Sequence, residues 1–263
     1  MEPIITVGNI FDQDADMLAD FAHEHRFAGI DWSIDPAMPT GQLMSRMKKL
    51  DDFEVRFHCR FAGTDIAYAD ERSEKSLTVL KKTVEQVAGA GGRYMTVHIG
   101  LGCSRAAELD KNKAVRNLGA LVKKGNECGV CVCLENLCTP FTNDPVAFNS
   151  LIEQTGAGIT FDIGHAYVCS TGDGGGGMYN QYIFPHRHRI MNAHIYHTES
   201  TGRGHIAPRS LDDIYERLEL LQSAQNCTWW VIELQDPADV LLTRDLVRSY
   251  LASCDDRSLC SGG

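Results

Sequence analysis

Three histidines and three carboxylates recur at one kind of place in this chain. Six apolar stretches end on them: VRFH at His58, YMTVH at His98, CVCLE at Glu135, GITFD at Asp162, MNAH at His194 and WWVIE at Glu233. Neutral imidazoles mixed with carboxylates suit a divalent cation such as Zn²⁺, Mn²⁺, Co²⁺ or Fe²⁺. Glu135, Asp162, His194 and Glu233 are the stronger ligand candidates, because buried carboxylates without compensation are too costly for a core role. A single inward histidine is more often a hydrogen-bonded core residue, so His58 and His98 gain their standing from the other four. The cofactor expected is one or two divalent ions per chain. Glu135, Asp162 and Glu233 supply three negative charges. One divalent ion leaves the site anionic; two leave it cationic and ready to hold a hydroxide or an anionic group. One ion suits carbohydrate proton transfer, and two suit hydrolysis.

Residues of these types must be brought together by the elements that carry them. Side chains alternate faces along a strand. Thr96 and His98 share one face of their stretch, while Met95, Val97 and Ile99 take the other. Asp162 sides with Thr160, His194 with Asn192, and Glu233 with Val231, each against an apolar face. Strands are predicted near 4–7, 29–33, 55–60, 94–99, 131–136, 158–164, 191–197 and 229–235. Helices are predicted near 13–26, 40–50, 72–90, 110–128, 144–155, 179–189, 209–225 and 237–252. The third is the clearest: Leu77, Leu80, Val84, Val87 and Ala88 keep one face apolar, while Lys81, Lys82, Glu85 and Gln86 are expected on the solvated side. Strand–helix alternation implies a parallel sheet. The fold expected is an α/β (β/α)8 TIM barrel, a closed eight-stranded parallel barrel with outer helices and the candidate ligands at its carboxyl-end mouth. An open doubly wound sheet is the alternative, but no GxGxxG follows the first strand.

The 263 residues are close to the roughly 250 typical of such a barrel. Residues 1–253 are read as one barrel domain and 254–263 as a polar tail. The net charge of −10 argues against nucleic acid and anionic membranes as partners. No apolar run reaches the ~20 residues needed to span a bilayer, and the N-terminus lacks signal-peptide architecture. The expectation is a cytoplasmic protein with a small-molecule substrate and with homo-oligomerisation left open. Its ten cysteines are then reduced thiols. Cys128, Cys131, Cys133 and Cys138 look like a ligand cluster, but Cys131 and Cys133 fall inside a strand and read as small core residues. The GDGGGG run at 172–177 reads as a flexible insertion, with a lid or an anion cradle as the functional alternative.

The motifs VHIG at 97–100, LEN at 134–136, FDIGHA at 161–166, AHIYH at 193–197, GHIAP at 204–208 and VIEL at 231–234 together resemble the xylose isomerase-like TIM barrel superfamily. That group spans sugar isomerases and epimerases, inosose dehydratase and the endonuclease IV branch. The resemblance implies a shared metal site at Glu135, Asp162, His194 and Glu233. It implies that His58 and His98 hold a further metal, as in endonuclease IV-like members. His165 and His205 match two ligands of a third metal there. The remaining ligand would be an aspartate two residues before His205, where this chain has Arg203. A guanidinium cannot bind a cation, so the third metal is not expected.

Two chemistries follow. In a sugar or sugar-phosphate isomerase or epimerase, the metal chelates adjacent substrate oxygens, and Glu135 and Glu233 exchange a proton with an enediolate. His165 and Arg203 would orient hydroxyl or phosphate groups, and Trp32 would wall the pocket or cap the barrel. In a hydrolase, of endonuclease IV or cobamide amidohydrolase type, Glu135 bridges two metals that share a hydroxide. A non-catalytic ligand-binding barrel is the third reading.

Overall fold

The computed structural model describes residues 2–260 except Arg60, Ala62, Ser104 and 172–178. The GDGGGG run therefore lies outside the described residues. Eight parallel strands close into a barrel: β1 (Ile4–Gly8), β2 (Gly29–Ser33), β3 (Glu54–His58), β4 (Tyr94–Val97), β5 (Cys131–Glu135), β6 (Gly158–Asp162), β7 (Ile190–Ile195) and β10 (Trp229–Ile232). Around the ring the order is β1, β10, β7, β6, β5, β4, β3, β2, closing on β1. A two-stranded antiparallel hairpin, β8 (Thr198–Ser200) and β9 (Gly204–Ile206), rises after β7. The eight-strand pattern does not foretell it.

The outer layer comprises α1 (Ala15–Glu24), α2 (Thr40–Met47), α3 (Arg72–Gly89), α4 (Lys111–Cys128), α5 (Pro145–Thr155), α6 (Ile163–Thr171), α7 (Tyr179–Ile183), α8 (Tyr215–Gln222) and α9 (Pro237–Cys260). Their ends are written locally. Asp110 and Asp144 cap α4 and α5 by accepting the N–H of Lys113 and Ala147. Gly129 and Gly156 end the same helices in left-handed backbone. Leu77, Leu80, Val84 and Val87 bury the expected face of α3. Gln86 departs from expectation: it is buried, and its amide donates to the Met38 carbonyl at 3.2 Å. The sixth helix also differs. α6 starts directly after β6, because Asp162 at the strand end accepts the His165 N–H at 2.7 Å and so caps the helix.

Alternation sorts the side chains as the pattern requires. Val7, Ile30, Phe57, Val97, Phe161, Ile195 and Ile232 face the helices and are buried. The barrel interior is filled from below. Arg56 lies between the rings of Tyr94 and Trp229, 3.8 and 4.4 Å from their centroids. Its guanidinium donates to Met191 O at 3.0 Å, to Asn192 Oδ1 at 2.5 Å and to Glu54 at 3.2 Å. Trp229 fits because β2 has Gly29 beside it, where a Cβ would fall 2.3 Å from the indole. Above this floor, Thr96 and Thr160 hydroxyls meet at 2.7 Å. Cys131 and Cys133 point inward as small residues, their sulfurs 3.9 Å apart.

Candidate metal centre

The six strand-end residues converge at the mouth. His58, Glu135, Asp162 and His194 are within or at the end of their strands, and His98 and Glu233 lie one residue beyond theirs. All are buried except Glu233, whose side chain is 14% exposed and opens to the pocket. Glu135, Asp162, His194 and Glu233 each present one ligating atom within 4.8 Å of the other three. His58, His98 and Glu135 do the same, so Glu135 belongs to both sets. His194 Nδ1 is 3.1 Å from Glu135 Oε1 and 3.0 Å from Glu233 Oε2. His58 Nε2 is 3.0 Å from His98 Nε2, which is 2.8 Å from Glu135 Oε2.

Several of these atoms fit a cation better than they fit one another. Asp162 Oδ2, Glu233 Oε2 and His194 Nε2 are buried without a hydrogen-bond partner. Buried polar atoms are otherwise nearly always paired. Asp162 divides its labour: Oδ1 caps α6 and Oδ2 is left over for the mouth. His98 Nδ1 lies 3.0 Å from the Cys59 carbonyl, which can only accept. Nδ1 therefore carries the proton in neutral His98, and the lone pair of Nε2 faces the Glu135 carboxylate and the His58 ring. A lone pair at 2.8 Å from a carboxylate oxygen is repulsive unless a proton or a cation stands between them. Carboxylate or carbonyl support behind a ligand imidazole is the usual arrangement in metal sites.

The electrostatics agree. Burial works to raise the Glu135 and Glu233 carboxyls, but the imidazoles, His194 first, outweigh it and hold both below the ordinary value. Burial works to lower His194, but Glu233 and Glu135 outweigh it and push the imidazole well above its ordinary range. His98 is lowered by burial and stays neutral. Burial dominates at Asp162, raising it to about 6.

The other sequence candidates fall in different places. His165 opens α6, its Nε2 3.8 Å from Asp162 Oδ2 and 4.0 Å from Glu135 Oε1. His205, on β9, stacks on Tyr196 with ring centroids 3.9 Å apart, and its Nδ1 donates to the Glu233 carbonyl at 2.9 Å. It lines the pocket but joins none of the ligand groups among the described residues. Two expectations are corrected. Trp32 does not wall the pocket: it alternates with Asp31, faces the helices and is fully buried in the core. Arg203 is exposed in the turn of the β8–β9 hairpin, outside the pocket lining, so it does not reach the mouth. Sequence reasoning also missed Asp31 and Glu199, and it set Cys138 aside together with a discounted cysteine cluster. Asp31 is the inward residue of β2, with Oδ2 3.6 Å from His58 Nδ1. Strand alternation alone would have found it. Cys138 and Glu199 reach the pocket from a loop and from the hairpin, and no periodic signal marks them.

The pocket above the centre measures about 220 Å³ and is lined by His58, His98, Leu101, Glu135, Leu137, Cys138, Thr139, His165, Glu199, His205 and Glu233. No helix among the described residues is long and apolar enough to cross a membrane.

Comparison with known proteins places this geometry. Residues 19–224 match the family model described as xylose isomerase-like TIM barrel. An uncharacterized protein of Methanocaldococcus jannaschii is 26% identical over 185 residues, 69% of this chain and 76% of that one. Among solved structures, an L-ribulose 3-epimerase superposes with a TM-score of 0.75 at 15% identity, covering 99% of this chain and 98% of that one. A D-tagatose 3-epimerase-like protein gives 0.74 at 19% identity, covering 97% and 99%. Endonuclease IV from Thermus thermophilus gives 0.69 at 13% identity, covering 95% and 100%. At these identities the structural likeness speaks to the fold.

Proposed function

Since the chain belongs to the xylose isomerase-like TIM barrel family, we propose that it is a metal-dependent isomerase or epimerase acting on a sugar or sugar phosphate. The observation that carries this reading is the pocket. At about 220 Å³ it is smaller than the roughly 300–1,000 Å³ of sites for drug-sized ligands, and carboxylates line it. A substrate of monosaccharide size suits that space; a nucleic-acid duplex does not. The sugar epimerases among the structural neighbours support the same class.

Glu135, Asp162, His194 and Glu233 would hold the cation. When bound, a divalent ion polarises a substrate carbonyl and acidifies the neighbouring C–H. Glu135 and Glu233 approach His194 Nδ1 from two sides, at 3.1 and 3.0 Å. One takes the proton from the carbon and the other returns it, through an enediolate. In the metal-free protein His194 is the leading imidazole that depresses both carboxyls. Ligation requires neutral His194, so the proton that these carboxylates hold on it in the metal-free protein leaves as the ion binds. His165, on the pocket wall, would orient a substrate hydroxyl.

A hydrolase is the second reading, and one observation favours it: His58 and His98 converge with Glu135 as a second donor set. Two cations sharing Glu135 would suit hydrolysis of a phosphodiester or an amide. The deciding experiment incubates the protein in D₂O with aldoses, ketoses and their phosphates and follows deuterium at the carbon beside the carbonyl. Incorporation dependent on added metal supports the isomerase. Two tightly held metals per chain, no exchange, and release of phosphate or amine from an ester and amide panel would overturn it.

A further inference from the structure

A second kind of donor set lies in the same pocket. Cys138, His165 and Glu199 each offer one ligating atom within 4.8 Å of the other two. They come from three separate places: the loop after β5, the first turn of α6 and the strand β8. His165 Nδ1 is 3.2 Å from Glu199 Oε1, yet it is buried without a hydrogen-bond partner. At this distance the two atoms form an ion pair while the imidazole is protonated, and both are free to turn to a common cation once that proton leaves. The opposite nitrogen, Nε2, faces Asp162 and Glu135. Cys169, also on α6, brings its sulfur to 2.9 Å from Cys138 Sγ as a hydrogen-bond donor. The Cys138 thiol rests 3.4 Å from the His165 carbonyl.

The chemistry of this set differs from that at the strand ends. A thiolate, an imidazole and a carboxylate form a borderline-soft group that favours Zn²⁺ over the harder Mg²⁺ or Mn²⁺. The thiolate and the carboxylate together match the charge of a divalent ion. Donors at the mouth are nitrogen and oxygen only. We propose that Cys138, His165 and Glu199 form a separate cation site for zinc or a metal of like softness, with Cys169 supporting the Cys138 sulfur from behind. All three donors line the pocket, so the remaining coordination position faces the substrate space. Three protein donors with one open position is the pattern of a zinc that touches substrate. A cation held there would offer a substrate oxygen a further contact within the same pocket.

The thiolate site does not depend on the isomerase reading, and one titration separates them. Reduced full-length protein is titrated with Co²⁺. The strand-end centre contains no sulfur, so a thiolate-to-cobalt charge-transfer band in the near ultraviolet reports only a thiolate site. Wild type is expected to show the band. Cys138→Ser is expected to lose it, whereas Glu233→Gln, which damages only the strand-end centre, keeps it. Absence of the band in wild type, or its survival in Cys138→Ser, overturns the proposal. Should Cys138→Ser fail to fold, alkylation of wild-type Cys138, mapped by mass spectrometry, decides the matter instead. Saturating Zn²⁺ should slow it by about tenfold or more, because the metal takes the thiolate that the reagent needs. An unchanged rate overturns the proposal.

Discussion

The barrel interior has two charged ends built on the same strands, and they are resolved in opposite ways. β3 carries Arg56 at the floor and His58 at the mouth; β7 carries Asn192 and His194; Trp229 starts β10 and Glu233 follows it. At the floor the guanidinium is held between two aromatic faces, and its N–H groups find Met191 O, Asn192 Oδ1 and Glu54. At the mouth Asp162 Oδ2, Glu233 Oε2 and His194 Nε2 are buried without a hydrogen-bond partner, and only imidazoles at ion-pair distance face the two carboxylates. Buried charge that is fully answered by the chain is structure. Buried charge left unanswered, with its donors converging, is a site for something the chain does not supply. On β3 and β7, two residues of strand separate the two cases.

The sharpest way to break this contrast is at Glu135, the residue common to both donor sets. Glu135→Gln should lower metal affinity by more than the ~10–100-fold typical of losing a mere supporting partner, and turnover should vanish while circular dichroism stays native. Normal metal content by calorimetric titration in this variant would reduce the mouth to another floor. Next in size is His58→Gln with His98→Gln. The strand-end set of four should keep its ion, and elemental analysis should show the loss of at most one equivalent. Loss of all metal would mean that the two sets are not separable.

Arg56→Met tests the other side. It leaves Asn192 Oδ1 and Met191 O without their donor and should cost about 1–3 kcal/mol of stability in urea unfolding. Metal affinity should hold within a factor of about two, since the floor does not touch the ligands. A large loss of affinity would show that the two ends are coupled.

The smallest effect expected is that of pH on the metal-free protein. His194 and His165 are raised above 6.5 in the fold, each against the opposing pull of burial, by neighbouring carboxylates. Their contribution is complete below 6.5, the unfolded value, and is lost as pH rises through the raised folded values. Asp162 acts in the same direction. Burial raises it from 3.8 to about 6, so the unfolded chain ionises first and the fold loses ground across that interval. Glu135 and Glu233 act oppositely, contributing above 4.5 and losing that contribution as pH falls through their depressed folded values. The melting temperature without metal should therefore decline on the alkaline side of neutrality, and saturating metal should remove the decline, because ligation takes the place of those protons. A flat profile without metal would show that the imidazoles are not held by these carboxylates.

How much of this was legible depended on whether the signal was local. The six mouth residues could be read because strand alternation and strand ends are written in consecutive residues, and parallel closure then forces those ends together. Asp31 obeyed the same rule but stood beside Trp32, whose size drew the functional reading to the wrong face. The start of α6 was missed because Asp162 serves two elements at once, as strand end and helix cap. Glu199 could not be read, and Cys138 showed only as one of four cysteines whose cluster the strand positions of Cys131 and Cys133 argued against. Their approach to His165 depends on how the hairpin and the β5 loop lean over the mouth, and nothing in their own neighbourhoods records it. Arg203 shows the converse: a motif position was matched, but the turn that carries it points into solvent.

The donors at the mouth come from β3, β4, β5, β6, β7 and β10, six neighbours in an unbroken arc of the ring. In sequence order Glu233 is the last of them. Before β10 docks, the candidate donors form an unfinished crescent; its docking between β7 and β1 closes the ring and completes the set in a single event. The reverse holds for opening. Were ions to fill both donor sets, none of these six strands could peel away without breaking a coordination bond, and such a loaded barrel should persist as a matter of rate, beyond what its equilibrium stability conveys.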